Sequence, residues 1–451
     1  MTTATPLHSE PGSVAPVPAA PVPAPPAPES WSPAKRIAFR FVCAFVLIYC
    51  FAFPLDALPF IDRPLSTAIS GFWQVVVPWV ARHVVGYEQE LSIATSGSGD
   101  KAIDYAQTAL CLVLAFIAAS VWSVIDRRRT LYVKAHDFLR VYVRYMLALA
   151  MLSYGFAKVF KSQFPFPTVD RLTQPLGEFS PMGLLWTFMG FSPGYNLFTG
   201  GAEVLGGLLL LFRRTTTLGS LVVVGVMSNV VALNFFYDVP VKLYSTLLLL
   251  YAVFLLLPDL RRLADVFVFN RATQPAVLDT PFAFSSRVTW ALRGVKLLFI
   301  GWLLYSNASR NLEGHAKWGD GAPLPPLYGL YEVESFTRDG QVLPPLLGDT
   351  SRWRSLAIGR FRMTLRKMDD STQRYHVSGS PETRTLVLAE GRGEDAKKTT
   401  FTLEQPDPEH LVIQGTFEGA ALHVRVRKVD TSQLQLLNRG FNWVQEVPFN
   451  R

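Results

Sequence analysis

Seven apolar stretches, at 37–53, 103–125, 141–160, 197–212, 218–236, 243–257 and 290–305, are each long enough or nearly long enough to cross a bilayer. A hydrocarbon core about 30 Å thick takes about 20 helical residues, and without water inside it every backbone N–H and C=O must be satisfied within the segment. The shortest stretches need a thinned bilayer or buried ends. The expectation is a membrane all-α helical bundle of about seven transmembrane helices. The net charge of +8 does not point to nucleic acid, because the basic residues cluster between the apolar segments, as in Arg127-Arg128-Arg129 and Arg213-Arg214. Such clusters report topology, with the lipid bilayer as the partner.

The segment 67–86 carries Gln74, Pro78, Arg82 and His83, while Ile69, Phe72, Val76, Trp79, Val80 and Val84 recur at helical spacing. It reads as an interfacial helix. With seven spans and a cytoplasmic N-terminus, the basic loops at 126–140, 213–217 and around Arg261, Arg262 and Arg271 all fall inside. An eighth span would put Arg127 to Arg129 outside. Residues 1–34, rich in Pro and Ala, read as a disordered cytoplasmic tail. Residues 35–308 form the transmembrane domain. From 309 to 451 short alternating patterns such as IGRFRMTLRKM and ALHVRVRKV, broken by turn residues, predict an all-β domain of about eight strands. A lipocalin-like barrel and a sandwich both fit. Odd span parity makes this domain extracytoplasmic, and the whole is expected in the cell inner membrane. The ending RGFNWVQEVPFNR reads as a final strand, and TSGSGD before the second stretch as a flexible loop.

Ionisable groups at bilayer depth are costly, so each is a candidate site. Glu203 sits among Gly200, Gly201, Gly206 and Gly207, which let neighbouring helices approach. Tyr154, Lys158 and Lys161 share one helical face, with Lys158 at a depth similar to that of Glu203. Asn234, Asp238 and Lys242 follow near the same end. Tyr154, Lys158, Glu203, Asn234, Asp238 and Lys242 together form a candidate intramembrane polar pocket. Glu203 reads equally as a proton-handling carboxylate or as half of a structural ion pair, and Asp238 with Pro240 also reads as a tight turn.

Seven scattered histidines and three cysteines show no metal-ligand spacing, so no metal site is expected. Cys43 and Cys50 lie two turns apart on one helix, roughly 10 Å and beyond disulfide reach. No phosphate-binding glycine loop or nucleophile elbow appears, and the chain is not expected to be an independent enzyme.

Three pieces of the membrane half, YGFAKVF at 154–160, GGAEVLGGLLLLFRR at 200–214 and NFFYDVPVKLYSTLLLL at 234–250, carry a resemblance. The region 141–266 resembles the DoxX-like family of small four-helix membrane proteins, some of which are subunits of quinone-linked oxidoreductases. The resemblance implies a bundle that binds a quinone or lipid within a redox or envelope complex. This chain is longer than that family, by three spans and the outer domain. The alternative is a noncatalytic scaffold or assembly factor whose outer domain recruits an envelope protein. A transporter is a third reading, with no repeat of broken helices behind it.

Overall fold

The computed structural model describes residues 30–450 except 59, 95, 277, 279, 283 and 392–395. Nearly all of the proline-rich tail therefore lies outside the described residues. The helical part comprises α1 (Pro33–Tyr49), α2 (Asp62–Val80), α3 (Ala102–Ile125), α4 (Val133–Val159), α5 (Val169–Leu172), α6 (Pro181–Phe191), α7 (Pro193–Leu210), α8 (Thr216–Phe236), α9 (Lys242–Leu256), α10 (Leu260–Phe267) and α11 (Ser286–Lys317). Helix starts follow local chemistry: Ser32, Ser180, Ser192 and Ser285 each accept a hydrogen bond from a first-turn N–H, three of them with Pro just inside the helix.

Four helical stretches, Ala102–Ile125, Arg213–Phe236, Lys242–Phe267 and Ser286–Lys317, are long and apolar enough to cross a membrane. The expected count of about seven is not supported by length and composition. The reasons are local: α1 has 17 residues, α4 carries Arg144 and Lys158 within its apolar part, and α7 combines Glu203 with a glycine-rich sequence. Segment 67–86 is helical, as α2 and a following turn of π-helix, with Val77 its one buried residue.

Helices α4, α7, α8 and α9 pack as an antiparallel four-helix core, with short connections from α7 to α8 and α8 to α9 and a long one, carrying α5 and α6, from α4 to α7. Its interior is a continuous apolar cluster in which Leu139, Leu147, Met151, Leu152, Leu210, Leu248 and Leu255 are fully buried. Glycines set the α4 to α7 spacing. A Cβ at Gly200 would lie 2.7 Å from the Gly155 carbonyl oxygen, and one at Gly207 would lie 3.1 Å from that of Ala148. Gly201 faces open space and takes no part. Beside this core α1 packs on α3, where buried Arg40 donates to the Tyr132 hydroxyl at 2.8 Å, Ser123 Oγ at 2.8 Å and the Asp126 carbonyl at 3.0 Å.

After α11 the chain enters a closed antiparallel barrel. Its strands are β1 (Gly329–Arg338), β2 (Gln341–Val342), β3 (Trp353–Ile358), β4 (Arg362–Lys367), β5 (Thr372–Ser380), β6 (Thr385–Glu390), β7 (Lys397–Asp407), β8 (His410–Phe417) and β9 (Ala420–Val429). Consecutive strands pair from β3 to β9, β1 pairs both β3 and β9, and two-residue β2 adds only to the end of β1. The result is an eight-stranded barrel and not a sandwich. Residues of β9 alternate buried and exposed over most of the strand, the period-two pattern that puts Leu422, Val424 and Val426 inside. Trp353, Phe336, Phe401, Leu403 and Ile413 fill the interior.

Barrel closure explains a correction at the C-terminus. Because β9 is already paired on both sides, no edge remains for a further strand, and the chain runs into α12 (Gln435–Asn438) and then an irregular tail. Phe441 and Trp443 of that tail are exposed. The barrel rests on the 161–180 segment. Lys161 pairs with Asp320 at 2.8 Å, Arg366 with Glu178 at 3.2 Å, and Val169 is buried against Leu330 and Ala357.

Candidate functional site

Inside the four-helix core, at its barrel end, Lys158 Nζ of α4 lies 2.9 Å from both carboxylate oxygens of Glu203 of α7. Both side chains are buried, at 9% and 2% exposure. The contact follows from the glycines, because the close approach of Gly155 and Gly200 places the neighbouring turns within reach of a lysine stem. Pairing is what makes either charge tolerable in this environment.

The pair borders a cavity of about 160 Å³ whose walls are largely apolar, including Met151, Leu185, Trp186, Met189 and Met227. Helix α6 covers it through Leu185 and Met189, which pack with Phe164 and Val239. Tyr154 lines the cavity, its ring 5.7 Å from Lys158 Nζ and 6.3 Å from the Tyr244 ring. Asn234 lines it as well and donates to Ser245 Oγ at 3.0 Å.

Four of the six residues singled out in the sequence, Tyr154, Lys158, Glu203 and Asn234, therefore meet around one cavity. Asp238 and Lys242 do not join them. Asp238 is exposed at a turn with φ of +50°, and it takes Lys242 Nζ at 2.9 Å on the outside. Residues Val239, Pro240 and Val241 line the cavity, and these two charges are not part of its lining. For Asp238 the geometry matches the tight-turn reading.

Sequence reasoning missed Tyr244, Ser245 and Gln163, all of which line the cavity. Gln163 Oε1 is buried there with no hydrogen-bond partner. Nothing in the amphipathic pattern distinguishes a loop glutamine facing inward from one facing water. Among the described residues no group of three or more His, Cys, Asp and Glu could hold a metal ion. What remains is a carboxylate and an ammonium held together beside an apolar space, with an amide oxygen, an amide and two phenol-bearing rings at its margin.

Similarity was found to the uncharacterized protein YwoB of Bacillus subtilis (strain 168), 35% identical over 124 residues, which is 28% of this chain and 79% of the Bacillus protein. This chain belongs to the YwoB family. The shared part is a minority of this chain and most of YwoB. No protein-family profile matches the chain. No solved structure matches it either.

Proposed function

We propose that this is a DoxX-like inner-membrane protein whose four-helix core binds a lipid-soluble molecule, a quinone or a lipid, in the cavity beside Lys158 and Glu203, within a redox or envelope complex. The single observation behind the reading is a buried ion pair that borders a largely apolar cavity. A structural pair needs no such space. A headgroup or ring fits about 160 Å³, with its tail leaving between helices into lipid. The Lys158 ammonium and the Asn234 amide are donors for a carbonyl or hydroxyl on that ring. In this reading α1, α3, α4, α7, α8, α9 and α11 all cross the membrane, the N-terminus is cytoplasmic, and the barrel lies outside. The basic loops at 126–140 and 213–217 support that orientation.

Native mass spectrometry of the gently solubilised full chain is the test. A co-purifying quinone or lipid that is lost in both Lys158→Met and Glu203→Gln supports the proposal. An apo monomer, or retention of the same ligand by both folded variants, refutes it. A reporter fused after residue 130 that works only outside the cytoplasm would refute the orientation.

A second reading, a noncatalytic scaffold whose barrel recruits an envelope protein, is favoured by the barrel itself. Its interior is filled by Trp353, Phe336 and Phe401, so binding falls to its outside and to the C-terminal tail, where Phe441 and Trp443 stand 78% and 91% exposed. Loss of a crosslinked envelope partner from the full chain on Trp443→Ala would support this reading, and an unchanged crosslinking pattern would count against it.

A further inference from the structure

Among the described residues three arginines are buried, Arg40, Arg144 and Arg352, and two of them are explained by their partners. Arg40 is satisfied by Tyr132, Ser123 and Asp126. Arg352 donates to the carbonyls of Leu343 at 3.1 Å and Trp353 at 3.2 Å. Arg144 is different. At 7% exposure its guanidinium makes one long contact, 3.4 Å to Thr216 Oγ1, lies 5.3 Å from the Tyr145 ring, and interacts with the Tyr145 hydroxyl. Its Nε has no hydrogen-bond partner, and among the described residues no carboxylate lies within ion-pair distance of it.

Arg144 lines a cavity of about 580 Å³ at the end of the four-helix core away from the barrel. Fourteen residues separate it from Lys158 along α4, about 21 Å at 1.5 Å per residue. The cavity is lined by five arginines, Arg140, Arg144, Arg213, Arg214 and Arg262, against two carboxylates, Asp137 and Asp259. Both carboxylates are occupied. Asp137 is held by Arg213, and Asp259 by Arg262 at 2.5 Å and Arg140 at 3.8 Å. Two further atoms of the lining, Arg140 Nε and Thr273 Oγ1, are also buried without a partner. A buried guanidinium without a carboxylate partner is unfavourable, and five arginines against two already paired carboxylates around one space describe the complement of something that is anionic and rich in acceptor oxygens.

We propose that this cavity binds a phosphate group, held by Arg144 with Arg140 and Arg214. The planar fork of arginine matches phosphate oxygens pairwise, which a lone lysine does not. The first residues of α8, Thr216, Thr217 and Leu218, line the same space and bring the positive end of that helix to it. The volume exceeds that of a bare phosphate and leaves room for a headgroup. A phospholipid headgroup and a soluble phosphate share the recognised chemistry. The inference stands apart from the Lys158 and Glu203 cavity and does not depend on it.

The test uses the full chain in a neutral detergent, titrated with dioleoylphosphatidylglycerol, with dioleoylphosphatidylcholine, and with inorganic phosphate. Bound ligand is counted by native mass spectrometry, and the thermal midpoint follows stabilisation. Saturable binding of phosphatidylglycerol over phosphatidylcholine, about tenfold weaker in Arg144→Gln, identifies a lipid headgroup. Stabilisation by inorganic phosphate alone, lost in the same variant, identifies a soluble ligand. Exposed Arg214 tolerates replacement whatever happens at Arg144, and Arg214→Gln is expected to weaken binding in the same direction. The proposal fails if the wild type binds neither probe above phosphatidylcholine, or if Arg214→Gln and any folded Arg144→Gln bind as the wild type does.

Discussion

The Asp100 carboxylate accepts the backbone N–H groups of Lys242 at 2.8 Å and Leu243 at 3.0 Å, capping α9 from 142 residues away in sequence. The residue preceding α9, Val241, has no side chain able to do this. A second backbone bond, Gly99 N–H to the Pro240 carbonyl at 2.8 Å, fixes the same loop. The end of the glycine-serine segment, Gly99 and Asp100, thus contacts the loop before α9. Asp100→Ala should destabilise the protein by about 1 kcal/mol, the usual worth of a helix cap, with Asp100→Asn closer to wild type. Thermal unfolding in detergent checks the order, and equal midpoints for both variants would contradict it.

Breaking the Lys158 to Glu203 pair from one side leaves a charge stranded in an apolar interior. Lys158→Met and Glu203→Leu are each expected to cost about 3 kcal/mol or more, and the double replacement Lys158→Met with Glu203→Leu to recover much of that. A double-mutant cycle on unfolding midpoints measures the coupling. Additive losses would mean that the two groups do not interact in the folded protein.

How much of this was legible in advance divides along physical lines. The run of apolar helices, the switch to alternating strands after α11 and the meeting of Lys158 with Glu203 follow from periodicity and depth, which act locally along the chain. The orientation of Asp238 and Lys242 does not, since it depends on which face of the five-residue connection 237–241 looks inward. Gln163, Ser245 and Asp100 were invisible for a related reason: each gains its role from a partner on another helix or loop, and a single polar residue in a loop has no period to reveal it. Barrel and sandwich share the same alternating pattern. Only the pairing of β1 with β9, distant in sequence, separates them.

Two adjacent glycines give opposite expectations. A Cβ at Gly200 would sit 2.7 Å from the Gly155 carbonyl oxygen and 2.8 Å from Lys158 Cβ, so Gly200→Ala must push α7 from α4 at a cost of about 1–3 kcal/mol. At Gly201 a Cβ meets nothing within 4 Å, and Gly201→Ala should be neutral or stabilising by up to about 1 kcal/mol through helix propensity. Loss of the Lys158 to Glu203 contact should accompany the first substitution alone. Comparing unfolding midpoints of the two variants decides this, and equal sensitivity at both positions would argue against close α4 to α7 packing.

In the barrel, Asp349 Oδ1 accepts from the Ser351 N–H at 2.7 Å, the Ser351 hydroxyl at 2.7 Å and the Arg352 N–H at 3.1 Å. The Ser351 backbone bond, then its hydroxyl, hold the Asp349 carboxyl below its ordinary value of 3.8, with the Arg352 charge adding to the effect. A group whose folded value is depressed contributes stability that is present above its unfolded value and is lost as pH falls through the folded one. Asp369, held down by Ser371, and Asp430, held down by Ser432, act in the same direction. Barrel stability should therefore be flat near neutrality and decline below about pH 4. Asp349→Asn should be less stable than wild type at neutral pH, with the difference shrinking as pH falls below 3.8. Near-ultraviolet circular dichroism of the full chain, which reads the buried Trp353 environment, follows the transition. A wild-type to Asp349→Asn difference that is the same at neutral and acid pH would show that the Asp349 cap is not what titrates.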